Sequence, residues 1–421
     1  MLNTFLRSGL IVLVLSNFAS LVNYGFLILV TRKLGPSNYS VVASVAALGP
    51  SFFGIFSIIP QIISKALIYV EKNKKERILV LNITRQIIAA VLLFLLFIYL
   101  LLSKDLLQFL KLNSYYPLYI YLVSVTSSVT MLYNTGRLQA IQCFVPISFK
   151  DFSFSFLKII LALLLLYYLS LSIYGALMAD AVTSLIVAIA MYIYTNRKEK
   201  IYLRQCSLLN ETEFVDLVVL KKSITRFIIP SIAVSWLSGI LLSVDIYFSK
   251  HFLPPSEAGL YSAASSIGHI SLFFSGSLGA ILFPKVLKNR ETGVSSTKDL
   301  ASVAIITGSA SILISIVLSF FGEDVIRILY GSKYIGCGQI VAIISWAMTF
   351  LSITVVIFNF FLAREKYSFI FPAILIVAMM TALIYYFLHN SSIQIALGLL
   401  LGVSLLFVVS AFLLLPMRSK K

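Results

Sequence analysis

Acidic side chains are scarce in this chain: Asp and Glu together number 16, against 33 Lys and Arg, among 421 residues. Charged residues of both signs make up only 12% of it, about half the share of a soluble globular domain, which excludes an ordinary soluble fold. Cysteine is limited to Cys143, Cys206 and Cys337, without CxxC or Cys-His spacing, so neither a zinc site nor a disulfide framework is supported. No GxxxxGK[ST] segment occurs, and Gly336-Cys337-Gly338 does not supply one, so the chain carries no P-loop ATP motor of its own. No hydrophilic stretch is long enough to fold as a separate basic domain, so the net charge of +17 does not read as nucleic-acid binding. No cofactor and no metal are expected.

What is present is apolar: 60% of the residues, gathered into about twelve stretches of about 20 residues each, the length that crosses a bilayer as a helix. Backbone amides and carbonyls in hydrocarbon must be bonded within their own segment, and the stretches lack the alternation of barrel strands, so the expectation is an all-α polytopic membrane protein. The first stretch ends in Thr31-Arg32-Lys33 with no small-x-small cleavage site and is read as retained. Lys and Arg concentrate at the termini and in the loops Glu71 to Arg77, Arg197 to Lys222, Lys285 to Lys298 and Arg364 to Lys366. By the positive-inside rule these face the cytoplasm, with both termini, in a multi-pass membrane protein. The positive face would also attract anionic lipid headgroups.

The longest hydrophilic interval falls near the middle. It divides the chain into an N-terminal six-helix bundle at 1–200, a cytoplasmic linker at 201–223 and a C-terminal six-helix bundle at 224–421. Sliding one half over the other sets Leu34-Gly35-Pro36-Ser37 over Leu253-Pro254-Pro255-Ser256, and Gly49 over Gly268, which suggests a parallel repeat about an axis along the membrane normal.

Several segments carry a family likeness. Asp245 to Ala264 contains Leu253-Pro254-Pro255-Ser256-Glu257-Ala258-Gly259-Leu260-Tyr261, and Leu282-Phe283-Pro284-Lys285 closes the span that follows. Thr31 to Ser40 reads as a first outer loop, with Ser40 where Gly is usual, and Leu329-Tyr330-Gly331-Ser332-Lys333-Tyr334 as a turn entering a later span. In these features the chain resembles the polysaccharide-biosynthesis transporters, which include the O-antigen and capsular oligosaccharide flippases. The resemblance implies the fold of the multidrug and oligosaccharidyl-lipid exporters, about twelve transmembrane helices in two six-helix bundles around a central cavity. It also implies flipping of an oligosaccharide carried on undecaprenyl diphosphate, with polysaccharide polymerase and chain-length machinery as partners. The alternatives are a cation-coupled multidrug antiporter of the same fold and a membrane glycosyltransferase or polymerase. The antiporter would want a more acidic cavity, and the enzyme a large outer loop that the chain lacks.

Charges inside apolar spans are expensive and therefore the first candidates for function. Lys158 and Asp180 fall on successive antiparallel spans, at depths that differ by only about 5 Å at 1.5 Å of rise per residue. They are expected either to pair structurally or to face the substrate path together. Arg85, Lys65, Arg137 and Arg226 lie nearer the cytoplasmic boundary; they either snorkel or join Lys158 in holding a diphosphate. Asp245 is a candidate for pairing or for coupling to H+ or Na+. Asn17, Gln61, Asn134 and Asn359 are candidates for sugar contact, against ordinary helix-helix hydrogen bonds. His269 reads as a packing residue or a proton carrier.

Overall fold

A computed structural model describes residues 2–70, 74–207, 217–272, 286 and 297–414. Among these, fourteen α-helices are α1 Leu2–Phe52, α2 Ile59–Tyr69, α3 Lys74–Leu101, α4 Ser103–Phe109, α5 Tyr116–Ala140, α6 Val145–Ala162, α7 Ser172–Ser207, α8 Leu217–Leu241, α9 Val244–Phe252, α10 Pro255–Gly268, α11 Thr297–Tyr330, α12 Gly338–Ala363, α13 Ile370–Tyr386 and α14 Ser392–Phe412. Short 3-10 and π turns join some of them, and the described residues contain no strand. The Leu282-Phe283-Pro284-Lys285 segment lies outside the described residues, as do 208–216 of the expected linker.

By length and composition, six of these helices are apolar enough to cross a membrane, and up to seven with the bent pair Phe18–Phe52 and Gly54–Ile68. The difference from about twelve has identifiable sources. Helix α5 has the length, but Ser124, Thr126, Ser127, Thr130, Asn134 and Thr135 dilute its apolar character. Helix α13, at 17 residues, is short, and α10 gives way to a 3-10 turn at His269.

The chain forms two compact units that do not follow its order. Unit 1 comprises residues 1–33 and 55–232; unit 2 comprises 34–54 and 233–421. The first crossing between them falls at a break in α1, where Gly35 takes φ 71° and ψ 172°. Glycine reaches this conformation without a Cβ penalty, and Pro36, its φ already near helical, restarts the helix.

In unit 1 the axis is α5 against α7, with α2 and α6 alongside. Gly136 permits the approach of α2: a Cβ there would lie 2.7 Å from Ile63 Cβ and 2.9 Å from the Pro60 carbonyl oxygen. In unit 2 the most enclosed helix is α12, packed on α11 and α14. The α11–α12 seam is a ladder of small hydroxyls. Ser315 meets Thr349 Oγ1 at 2.7 Å and donates to the Ser345 carbonyl at 2.9 Å, while Ser311 Oγ meets Ser352 Oγ at 3.1 Å. In lipid, where apolar surface gains little by meeting apolar surface, close backbones and such hydrogen bonds are what hold helices together.

The described parts of the family-likeness segments from Leu34 onward meet in unit 2. A Cβ on Gly259 would stand 1.9 Å from the Pro36 carbonyl oxygen. Lys250 Nζ donates to Ser40 Oγ at 2.8 Å, and Ser40 in turn donates to the Ser37 carbonyl at 2.6 Å. Tyr330 and Tyr334 pack edge to face at 5.8 Å, with the Tyr330 hydroxyl 2.7 Å from Ser266 Oγ. Because the atom facing Gly259 is backbone, no rotamer relieves a clash. Gly259→Ala is expected to cost about 1–3 kcal/mol, read as a lower thermal midpoint of the detergent-purified protein; an unchanged midpoint would show that α10 can shift freely.

Candidate functional site

In unit 1, α6 and α7 form an antiparallel hairpin turned by residues 169–171, with the Leu171 amide bonded to the Leu165 carbonyl at 2.9 Å. The hairpin brings Lys158 Nζ within 2.6 Å of Asp180 Oδ1. Their side chains are 12% and 27% exposed, so the pair is largely withdrawn from solvent but still reachable. Gly25, with Ile159 against it, lets α1 lie close to α6 and carries Phe26 over the ammonium at 4.1 Å; Phe154 stands at 5.5 Å. A cation held between one carboxylate and two aromatic faces is stabilised without a second counter-ion. It can therefore exchange its carboxylate for another anion without being stripped bare.

A second charged cluster lies where α3 begins and α5 and α7 end. Glu199 accepts from Arg77 Nε at 3.3 Å and from Arg137 Nε at 2.7 Å, with Arg137 Nη2 also on its Oε2. Arg137 further donates to Asn134 Oδ1 at 3.0 Å and Asn196 Oδ1 at 2.8 Å, and Arg77 to the Leu67 carbonyl at 3.2 Å. Arg77 is fully buried and Glu199 nearly so. Two guanidiniums thus share one carboxylate, leaving a net positive charge out of solvent; Arg77 Nη2 makes no hydrogen bond, and its guanidinium lies 4.9 Å from the centre of the Tyr202 ring.

Glu199 is the member of this charged cluster that reading by composition misses, since it sits in a basic stretch. Its signal is positional. Ala188, Met191, Thr195 and Glu199 are all buried and recur at i, i+3, i+7 and i+11, so one face of α7 continues inward past the apolar run and ends on a lone acid.

In unit 2, Asp245 is fully buried at the start of α9. Its Oδ2 accepts from Tyr261 at 3.2 Å and Ser265 at 3.1 Å, while its Oδ1 has no hydrogen-bond partner. Tyr261, Ser265 and His269 succeed one another at i, i+4 and i+8 along one face of α10 and the turn after it. His269 Nε2 is a second buried atom with no partner.

The remaining candidates are dispersed. Arg85 is exposed on α3 and donates to Asn82 at 3.2 Å; Lys65 is half-buried and Gln61 exposed on α2. Asn134 serves Arg137, as above, and Asn359 donates to the Val355 carbonyl at 3.0 Å in its own helix. The side chains of Asn17 and Arg226 lie outside the described residues. Lys158 with Asp180, and Arg137 with Asn134, are the candidates that come together. Among the described residues no cluster of His, Cys, Asp or Glu could hold a metal.

A family model described as "Polysaccharide biosynthesis protein" matches residues 6–290. No curated protein sequence matches the chain. Among solved structures, the chain is similar to the lipid II flippase MurJ in an inward closed conformation, with TM-score 0.71 and 16% identity over 97% of this chain and 88% of that one. It is similar to an inward-facing multidrug-resistance MATE family transporter of the MOP superfamily, with TM-score 0.67 and 13% identity over 94% of each chain. A third likeness, to the eukaryotic MATE transporter AtDTX14, has TM-score 0.64 and 17% identity over 98% of this chain and 96% of that one. At these identities the likeness establishes the fold: an all-helical, multi-pass membrane protein of the MATE and MurJ type.

Proposed function

Because the chain belongs to the polysaccharide biosynthesis protein family, we propose that it is a flippase for oligosaccharide units carried on undecaprenyl diphosphate, working by alternating access. The substrate would pass from the cytoplasmic to the outer leaflet of a bacterial cytoplasmic membrane for O-antigen or capsule assembly, where a polymerase would consume it. In this reading about twelve helices form two six-helix bundles, both termini are cytoplasmic, and the drive is an H+ or Na+ gradient, the membrane potential or removal of product by polymerisation. No chemical step is assigned to the chain, in keeping with its membership of a transporter family.

The observation that carries the reading is the Lys158–Asp180 pair, 2.6 Å apart and partly exposed on the α6–α7 hairpin. A diphosphate entering water-poor surroundings needs cations, and charge-assisted hydrogen bonds to phosphate are among the stronger ones available. Lys158 can meet that need by leaving Asp180, and its aromatic neighbours steady it in transit. Asp180 holds the cation while the site is empty, which keeps an unpaired charge out of the bilayer.

The test is surface glycan in a deletion strain complemented with wild type, Lys158→Ala, Asp180→Ala or the double variant. Lys158→Ala is expected to lose surface glycan and to accumulate unpolymerised lipid-linked units in the inner leaflet. Asp180→Ala is expected to retain more export than Lys158→Ala, because the cation survives in it. Full surface glycan from Lys158→Ala, at normal protein level, removes Lys158 from the path. Normal glycan in the deletion strain, with altered resistance to cationic compounds, would instead favour a multidrug antiporter.

A further inference from the structure

Within unit 1, a groove of about 810 Å³ lies between α6, α7 and the last turn of α5. Leu157 and Met191 are among its lining, and aromatic rings run along it: Phe149 to Phe152 at 6.5 Å and Phe152 to Phe156 at 5.9 Å between centres. On α7 it extends from Ile186 to Tyr194, about 12 Å at 1.5 Å per residue. It is apolar almost throughout, and Phe149 and Phe156 stand 60% and 53% exposed.

One end is charged. Lys150 lines the groove there and pairs with Asp151 at 2.6 Å, and Lys198 Nζ lies 5.8 Å from the centre of the Tyr194 ring. Arg197 and Lys200 are exposed on the same turn of α7, so cations outnumber the one carboxylate of the pair. An apolar trough with a basic mouth is complementary to a chain that ends in phosphate, the arrangement also used by basic pockets that hold anionic lipid headgroups.

We propose that this groove seats the prenyl chain of the lipid-linked substrate next to its diphosphate, with Lys150 and Lys198 facing the phosphate charge. The proposal rests on the flippase reading and adds to it a subsite for the lipid part. An isoprenoid carries a methyl branch on every fourth backbone carbon, which gives it a broader section than a straight acyl chain. A row of flat rings, 6.5 and 5.9 Å from centre to centre along α6, gives such a branched chain broad apolar faces to lie against. Leu157, at the far end, neighbours Lys158 in sequence, so the basic mouth lies about 12 Å along α6 from the ion pair and is a first station for the diphosphate before it reaches Lys158.

The test uses the full-length protein in phosphatidylcholine nanodiscs and a sugar-free polyprenyl diphosphate bearing a diazirine near its phosphate end, with labelled peptides mapped by mass spectrometry. Label is expected on residues 149–156 and 186–194. Ala190→Trp, at an exposed lining position, should cut that label about tenfold, a loss of about 1.4 kcal/mol in binding. Ser153→Trp provides a second filling variant, and thermal unfolding verifies that each folds. The joint variant Lys150→Glu, Lys198→Glu should weaken labelling, and excess phosphatidylglycerol should not compete. Label on other helices that is indifferent to both tryptophans overturns the groove and leaves the flippase reading standing. Equal competition by phosphatidylglycerol assigns the groove to bulk anionic lipid and also overturns the proposal. Absence of any label from this probe overturns the groove and the flippase reading together.

Discussion

Membranes expressing Glu199→Ala are expected to hold little folded protein. The side chains of Arg77 and Arg137 are 1% and 9% exposed, and Glu199 is the carboxylate they share. Removing one member of a buried ion cluster leaves the others charged and uncompensated, at a cost of about 3–5 kcal/mol. That is a large fraction of the about 5–15 kcal/mol that holds a typical domain together. The check is the yield and thermal midpoint of monodisperse protein after detergent extraction. A triple variant, Arg77→Met with Arg137→Met and Glu199→Leu, removes the whole charge set and should recover much of the loss, since well-packed apolar replacements of buried ion clusters are often neutral or better. A wild-type midpoint for Glu199→Ala alone would mean that the three side chains do not depend on one another.

Asp245→Asn is expected to do the opposite: leave the fold and reduce transport. Asparagine keeps nearly the same volume and a side-chain oxygen for the Tyr261 and Ser265 hydroxyls, but it can no longer gain or lose a proton at pH values the protein meets. If Asp245, with the unpartnered His269 Nε2 as its companion, couples ion movement to export, flipping in vesicles should fall about tenfold, equivalent to about 1.4 kcal/mol of barrier. The residual rate should also become insensitive to an imposed pH or sodium gradient. Normal flux with normal gradient dependence would assign Asp245 to packing alone. Measuring both properties matters, because a variant that merely misfolds loses flux and thermal stability together.

Much of this architecture is legible in the sequence because lipid imposes simple demands. Long apolar runs with few charges leave little choice but helices, and Lys158 and Asp180 stand out because so few charges share their depth. The ion pair between them follows from helix rise and a tight turn, both of which the chain fixes locally. Glu199 is harder to see. Its meaning depends on Arg77, which the sequence places beside a loop, and on Arg137, 62 residues away; only packing puts the three together. Asp245 is easy to single out as a carboxylate one turn from the end of an apolar span, at the head of the family-like stretch, but its two hydroxyl donors emerge only once α10 lies against α9.

The segments of family likeness illustrate a related point. Pro36, Ser40, Lys250, Gly259 and Tyr330 attract attention as a pattern, and each makes a close packing or hydrogen-bond contact inside unit 2. They specify how this scaffold closes.

The interrupted first helix also sets an order of events during synthesis. Ser40 belongs to a unit whose other members begin at residue 233, and its partner Lys250 follows it by 210 residues. At a translation rate of about 5–20 residues per second, the segment from 34 to 54 waits about 10–40 seconds in the bilayer before its neighbours are made. During that interval its serines and its broken backbone at Gly35 depend on lipid, water or the insertion machinery for company. A gene cut at the central linker would therefore not yield two self-sufficient halves: the N-terminal product would carry a strip of the other unit, and the C-terminal product would lack it.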